Sequence, residues 1–190
     1  MIVVLDEARA QADIAGSVLR CPGCAGRLRR WGFARPRSLR APGGGRVWLR
    51  PRRVRCTSCA VTHVLLPAIA PARHGYAIDV VGQVLGARAQ GRSHRTIGAE
   101  LEMPPDTVRG WIRRVTARAQ WLHVQGTTMA HEVDAMLPAT VPAGSALADA
   151  VSALGAAASA VVRRLGRVAS PWQIIAVIAR RRLLMPLPSG

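Results

Sequence analysis

Two different hydrophobic patterns divide this chain. Over residues 1–67 apolar positions come in short runs broken by Gly, Pro and Arg, which suits strands and turns. After residue 77 they recur every three or four positions, which suits amphipathic helices. Residues 2–5 predict a short strand, and 7–19 a weak helix. Residues 28–39 and 47–54 predict two strands of a hairpin about the turn Pro42-Gly43-Gly44-Gly45, with Pro51 demoting the second strand to an edge or a bulge. Pro67, Pro71 and His74-Gly75 read as a linker.

Beyond that point Ile78, Val81, Val84 and Leu85 share one helical face, and Gly91 and Arg92 end that helix. Ser93 caps a second helix over about 93–101, which Pro104-Pro105 breaks. A third is expected from Asp106 to about Trp121, a further one over 129–137, and an Ala-rich one over 146–165. Ser170, with Pro171 at the first helical position, opens a last helix to about Leu184. The fold class is therefore mostly α with a small β module. The expected parts are an N-terminal strand and helix (1–20), a four-cysteine zinc ribbon (21–67), a helix-turn-helix (77–121) and a helical tail (129–186).

Composition sharpens this picture. The 190 residues carry a net charge of +17, and every basic residue is arginine. Residues 14–78 hold thirteen arginines and no Asp or Glu. So long a one-signed stretch repels itself unless phosphates neutralise it, which points to nucleic acid. No run of about 18 uncharged apolar residues predicts a spanning helix, and no basic n-region precedes the apolar start. A cytoplasmic, nucleoid-associated protein without a membrane partner is the expectation. Two Cys-x-x-Cys pairs then read as metal ligands in a reducing compartment.

Cys21-Pro-Gly-Cys24 and Cys56-Thr-Ser-Cys59 are separated by thirty-one residues. Two such turns can close a tetrahedral shell of four thiolates, which suits Zn²⁺ as a structural ion with no open position for substrate water. Gly23 is expected to permit the first tight turn. A redox dithiol is the competing reading, but the βαβ setting of such motifs is missing. His63 could replace one sulfur, although it reads first as a surface or core residue. The ribbon arginines, notably Arg29, Arg30, Arg52, Arg53 and Arg55 with Trp31 and Trp48 among them, predict a phosphate-binding surface.

Residues 93–115 read as two helices and a tight turn, with Ile97, Leu101, Val108, Ile112 and Val115 as the packed seam and Ala99 where the helices approach. This spacing resembles the helix-turn-helix of bacterial regulators and transposases. Two departures stand out. Glu102 takes the place of the usual Gly at the left-handed turn, and Pro104 stands at the usual cap, so Asp106 is expected to cap instead. The resemblance implies a recognition helix from about Asp106, presenting Thr107, Arg109, Gly110, Arg113 and Arg114 to base edges, with Ser93, His94 and Arg95 near phosphate.

A zinc ribbon followed by a helix-turn-helix resembles the N-terminal, DNA-binding part of insertion-sequence transposases. The run Arg53-Val-Arg-Cys-Thr-Ser-Cys-Ala-Val-Thr-His-Val-Leu-Leu-Pro67 and the tail Pro171-Trp-Gln…Arg182-Leu-Leu184 are similar to an uncharacterised family of high-GC bacteria with the same organisation. The catalytic core of such transposases needs three acidic ligands on a strand-rich domain. No strand-rich segment follows Val115, and His131-Glu132-Val-Asp134 lacks the second His of a zinc protease motif. The expectation is a non-enzymatic, zinc-dependent reader of double-stranded DNA, either a regulator or a mobile-element accessory. An RNA-binding ribbon and a transposase remnant are the alternatives. Small residues at Ala153, Gly155, Ala158 and Ala160 suit an intramolecular bundle first, and a homodimer through the C-terminal helices second.

Overall fold

The structure is a computed structural model that describes residues 1–138, 140–166, 169–179 and 182–184. Helices make up about half of it, beside a small sheet and a four-cysteine cluster near the N-terminus. The chain divides into two compact units, Met1–Ala77 and Ile78–Gly190.

The first unit holds the strands. β1 (Ile2–Val4) leads into α1 (Glu7–Ala15), whose cap Asp6 accepts a hydrogen bond from the Arg9 N–H. Then come β2 (Leu28–Phe33), β3 (Arg37–Arg40), β4 (Arg46–Leu49), β5 (Arg52–Cys56) and β6 (Thr62–Pro67). Four of them form a sheet in the order β1-β6-β5-β2, with β1 parallel to β6 and the other pairs antiparallel. β3 and β4 form a separate two-stranded ribbon closed by a 3₁₀ turn at Pro42–Gly44.

The expected hairpin thus exists but is broken in two. Pro51 interrupts the second strand, and Ala34 N–H bonds the Pro51 carbonyl at the break. The register shifts between Arg30 and Phe33, where Gly32 adopts φ +87°. Pro51 separates β4 from β5, the bulge lies on the facing strand at Gly32, and β5 is interior, between β2 and β6. One face of the sheet buries Val4, Leu28, Val54, Cys56 and Leu65 with Ala10 of α1.

The expected linker is a correction. Residues 68–77 fold against the β3–β4 ribbon instead of bridging loosely. Leu39, Leu66 and Ala70 form a second small core, and Ala77 N–H bonds the Arg40 carbonyl. Arg37 donates from Nη2 to the carbonyls of Pro71 and His74. Burial lowers the Arg37 pKa from its ordinary value, as it must for a partly desolvated cation.

The second unit is helical: α2 (Ile78–Ala89), α3 (His94–Glu100), α4 (Pro105–Thr116), α5 (Ala119–Val133), α6 (Ala146–Leu165) and α7 (Pro171–Ile178). Ser93, Ser145 and Ser170 each accept a hydrogen bond from a first-turn N–H, capping α3, α6 and α7. The third helix ends at Thr116, short of Trp121, and α5 replaces the expected 129–137 helix. α5 packs on α6 so closely that a Cβ on Gly126 would lie 2.6 Å from the Ala153 carbonyl carbon. Ala153, Ala158 and Ala160 are buried in this intramolecular packing. α6 is long and apolar enough by length and composition to cross a membrane, with 44% of that window buried among its neighbours. The last helix stops at Ile178, and Arg180 and Arg181 lie outside the described residues.

Candidate functional site

The four cysteines converge. Their Sγ atoms all lie within 4.8 Å of one another, with Cys21–Cys59 at 3.7 Å and Cys24–Cys56 at 3.5 Å. A disulfide would need about 2.05 Å. Sulfurs placed about 2.3 Å from one ion at tetrahedral corners stand about 3.8 Å apart, which these spacings approach. The set can therefore hold one metal ion, and four thiolates fill its shell.

The two turns are built alike. Each reads Cys-x-x-Cys-Ala, and Cys21 N–H bonds the Gly26 carbonyl as Cys56 N–H bonds that of Val61. The alanine after the second cysteine takes the left-handed turn each time, Ala25 at φ +56° and Ala60 at φ +60°. Gly23 does not have a positive φ, so it is not the residue that permits the turn. Gly26 carries that role by another route. A Cβ there would lie 2.9 Å from Cys56 Sγ and collide with Ser58, so its bareness lets the two turns meet.

Backbone dipoles set the thiols apart. The Cys59 N–H lowers Cys56 to about 6, burial opposing and the Ser58 N–H assisting. The Gly26 N–H pulls Cys24 down, but hydrogen bonds with Cys59 and Cys56, together with burial, outweigh it and push Cys24 to about 12.

His63 is buried on β6, with Nε2 3.4 Å from Cys21 Sγ and Nδ1 3.2 Å from the Met1 amine. An ammonium only donates, so Nδ1 accepts and Nε2–H points at the sulfur. His63 thus orients a cysteine from outside the sulfur group. Burial, and then the charge of the N-terminus, lowers its pKa.

The five ribbon arginines do not share one surface. Strand alternation and the pairing of Arg29 with Arg55 put Arg29, Arg53 and Arg55 on the outer face of β2–β5. Arg30, opposite Val54, and Arg52 lie on the α1 side, where Arg52 pairs with Glu7 at 2.8 Å. Trp31 on the outer face carries Arg29 and Arg55 over its ring at 5.0 and 4.6 Å.

In the second unit α3 and α4 meet through a tight turn in which Glu102 takes φ +49°, the conformation usually left to glycine. Pro104, not Asp106, is the cap of α4, and Pro105 starts the helix. Asp106 sits in the first turn, where its charge suits the helix dipole. Ile97, Val108 and Val115 are buried as expected, Leu101 and Ile112 only half so, and Trp111 joins them. Ala99 is exposed; the close approach falls on Gly98, whose Cβ would lie 3.0 Å from the Met103 carbonyl oxygen.

Arg109 and Arg113 are exposed on α4, and Thr107, Gly110 and Arg114 are half-exposed. Ser93 and Arg95 are exposed at the start of α3, and His94 is partly so. Sequence reasoning missed the structural duty of Arg37 and the roles of Gly26 and Gly98. The first needed a partner in the folded 68–77 segment, and the glycines needed to be distinguished from near neighbours.

Residues 21–111, from the first cysteine to Trp111 on α4, match the family described as Domain of unknown function (DUF6431). No curated protein and no solved structure matches the chain.

Proposed function

We propose that this protein is a zinc-dependent DNA-binding protein, without catalysis of its own. α3 and α4 form a helix-turn-helix in this reading, and the four cysteines hold Zn²⁺ in a zinc ribbon. The observation that carries it is the division of α4: Val108, Trp111 and Val115 are buried while Arg109 and Arg113 are exposed. A helix anchored along one side and charged along the other is free to enter a major groove, where guanidinium forks pair with guanine. The ribbon supports this with arginines in a stretch that holds no acid. In this role zinc is structural, holding the two cysteine turns together and leaving recognition to side chains. A regulator and a mobile-element accessory use the same chemistry.

Selection of bound sites from a random duplex pool, followed by salt titration, tests the proposal. We expect an enriched site, a steep fall of affinity with salt, and a loss of about 1–3 kcal/mol for Arg109→Ala or Arg113→Ala with relaxed specificity at one position. Equal retention of duplex RNA in competition would overturn it, because the A-form major groove does not admit side chains.

A further inference from the structure

The outer face of β2–β5 carries features that phosphate binding alone does not require. Arg29 and Arg55 sit directly opposite each other across the two strands. Like charges in that position destabilise a sheet. Both guanidinium groups lie over the ring of Trp31, and Trp31 is nevertheless 42% exposed. Arg53 continues the same face, and residues 14–78 supply no carboxylate to neutralise it. Large aromatic surface left in water beside uncompensated cations fits a ligand that is both flat and anionic.

Nucleotides have that chemistry, and base stacking discriminates among them. Inside a duplex each base already has neighbours on both faces, so an exposed indole gains nothing from it. An unpaired base can lie against the indole or against a guanidinium plane held over it, while its phosphates meet the arginines.

We propose that Trp31, Arg29 and Arg55 form a stacking site for an unpaired DNA base. The protein would then engage DNA that is single-stranded over part of its length. This rests on the reading of the ribbon as a DNA-contacting module and adds a second mode of contact to the duplex reading of α4.

The test compares the metal-loaded, full-length chain on oligothymidine and on an abasic strand of equal length, which keeps the phosphates but removes every base. Oligothymidine should bind at least about fivefold more tightly and quench tryptophan fluorescence. Trp31→Ala should bring the two affinities together, and Trp31→Phe should keep most of the difference. Equal affinity of the unmodified protein for both strands would overturn the proposal, and so would a preference that survives Trp31→Ala. The duplex reading fails separately: Arg109→Ala with Arg113→Ala would then leave duplex affinity unchanged, whatever the strand comparison gives.

Discussion

Between Met1 and Ala77 the buried side chains include two small clusters, one around Val54 and Leu65 and the other around Leu39. From Ile78 onward they include Trp111, Leu85, Leu122, Leu154 and a row of alanines on α6. The first unit has short strands, a broken hairpin and a high density of cations. Small clusters offset little chain entropy, so a metal held by the four cysteines is expected to contribute much of its order. The second unit has several helices with buried apolar stripes. In one chain, charge has been concentrated where a metal can carry the stability, and apolar mass where packing does.

Removing the metal is the strongest way to break this comparison. Structural zinc in small modules contributes on the order of 10 kcal/mol. Chelation, or Cys56→Ser, should collapse the sheet resonances of Met1–Ala77 in an amide NMR spectrum while the helical circular dichroism persists. A sheet that stays ordered without metal would show that its core suffices. Protons provide a gentler form of the same test. Metal must expel the proton that Cys24 keeps up to about 12, so loading should acidify a weakly buffered solution. Affinity should rise with pH, and fall as pH drops through about 6, where Cys56 itself takes up a proton.

Packing in the second unit is next in size. Leu154 is fully buried, and Leu154→Ala should cost about 2–5 kcal/mol. Urea unfolding followed by circular dichroism should show the shift, with metal content unchanged. If metal is lost in step, the two units are not held separately.

Gly26→Ala sharpens the first half. The added Cβ crowds Cys56 Sγ and Ser58, so metal affinity should fall by about 1–3 kcal/mol, while Gly23→Ala, whose Cβ meets only Cys21 Sγ at 4.0 Å, an ordinary contact, should change it little. Competition with a chromophoric chelator measures both. The smallest effect is expected at Ser93→Ala, which removes the acceptor for the Thr96 N–H and should cost about 1 kcal/mol of stability in the second unit alone.

Much of this was legible before any coordinates. Periodicity located α2, alanine content located α6, serines marked the starts of α3 and α7, and paired cysteines marked the sulfur cluster. These signals are local: a cap, a turn or a Cys-x-x-Cys knuckle acts within a few residues. The start of α5 was missed because no Gly or Pro separates it from α4, although Ala119, Leu122, Gly126 and Ala130 repeat at helical spacing and are buried. The 68–77 segment looked like a linker because it follows Pro67, contains Pro71 and His74-Gly75, and has neither helical nor alternating apolar spacing. Several of its hydrogen bonds join it to Val4, Arg37 and Arg40, more than thirty positions earlier.

The sequence by itself determined which residue types are present and how they are spaced along each element: four thiols in two pairs, a one-signed arginine stretch, and alternating or helical apolar positions. Only the tertiary structure decided which of them meet. It brought the sulfurs together across thirty-one intervening residues, divided Arg29, Arg30, Arg52, Arg53 and Arg55 between two faces of the sheet, gave Arg37 to two half-buried carbonyls, and chose Gly98 over Ala99 as the point of helix contact. The physical reason is the same throughout. Pairing register and close packing depend on partners distant in the chain, and a shift of one position sends a side chain to the opposite face.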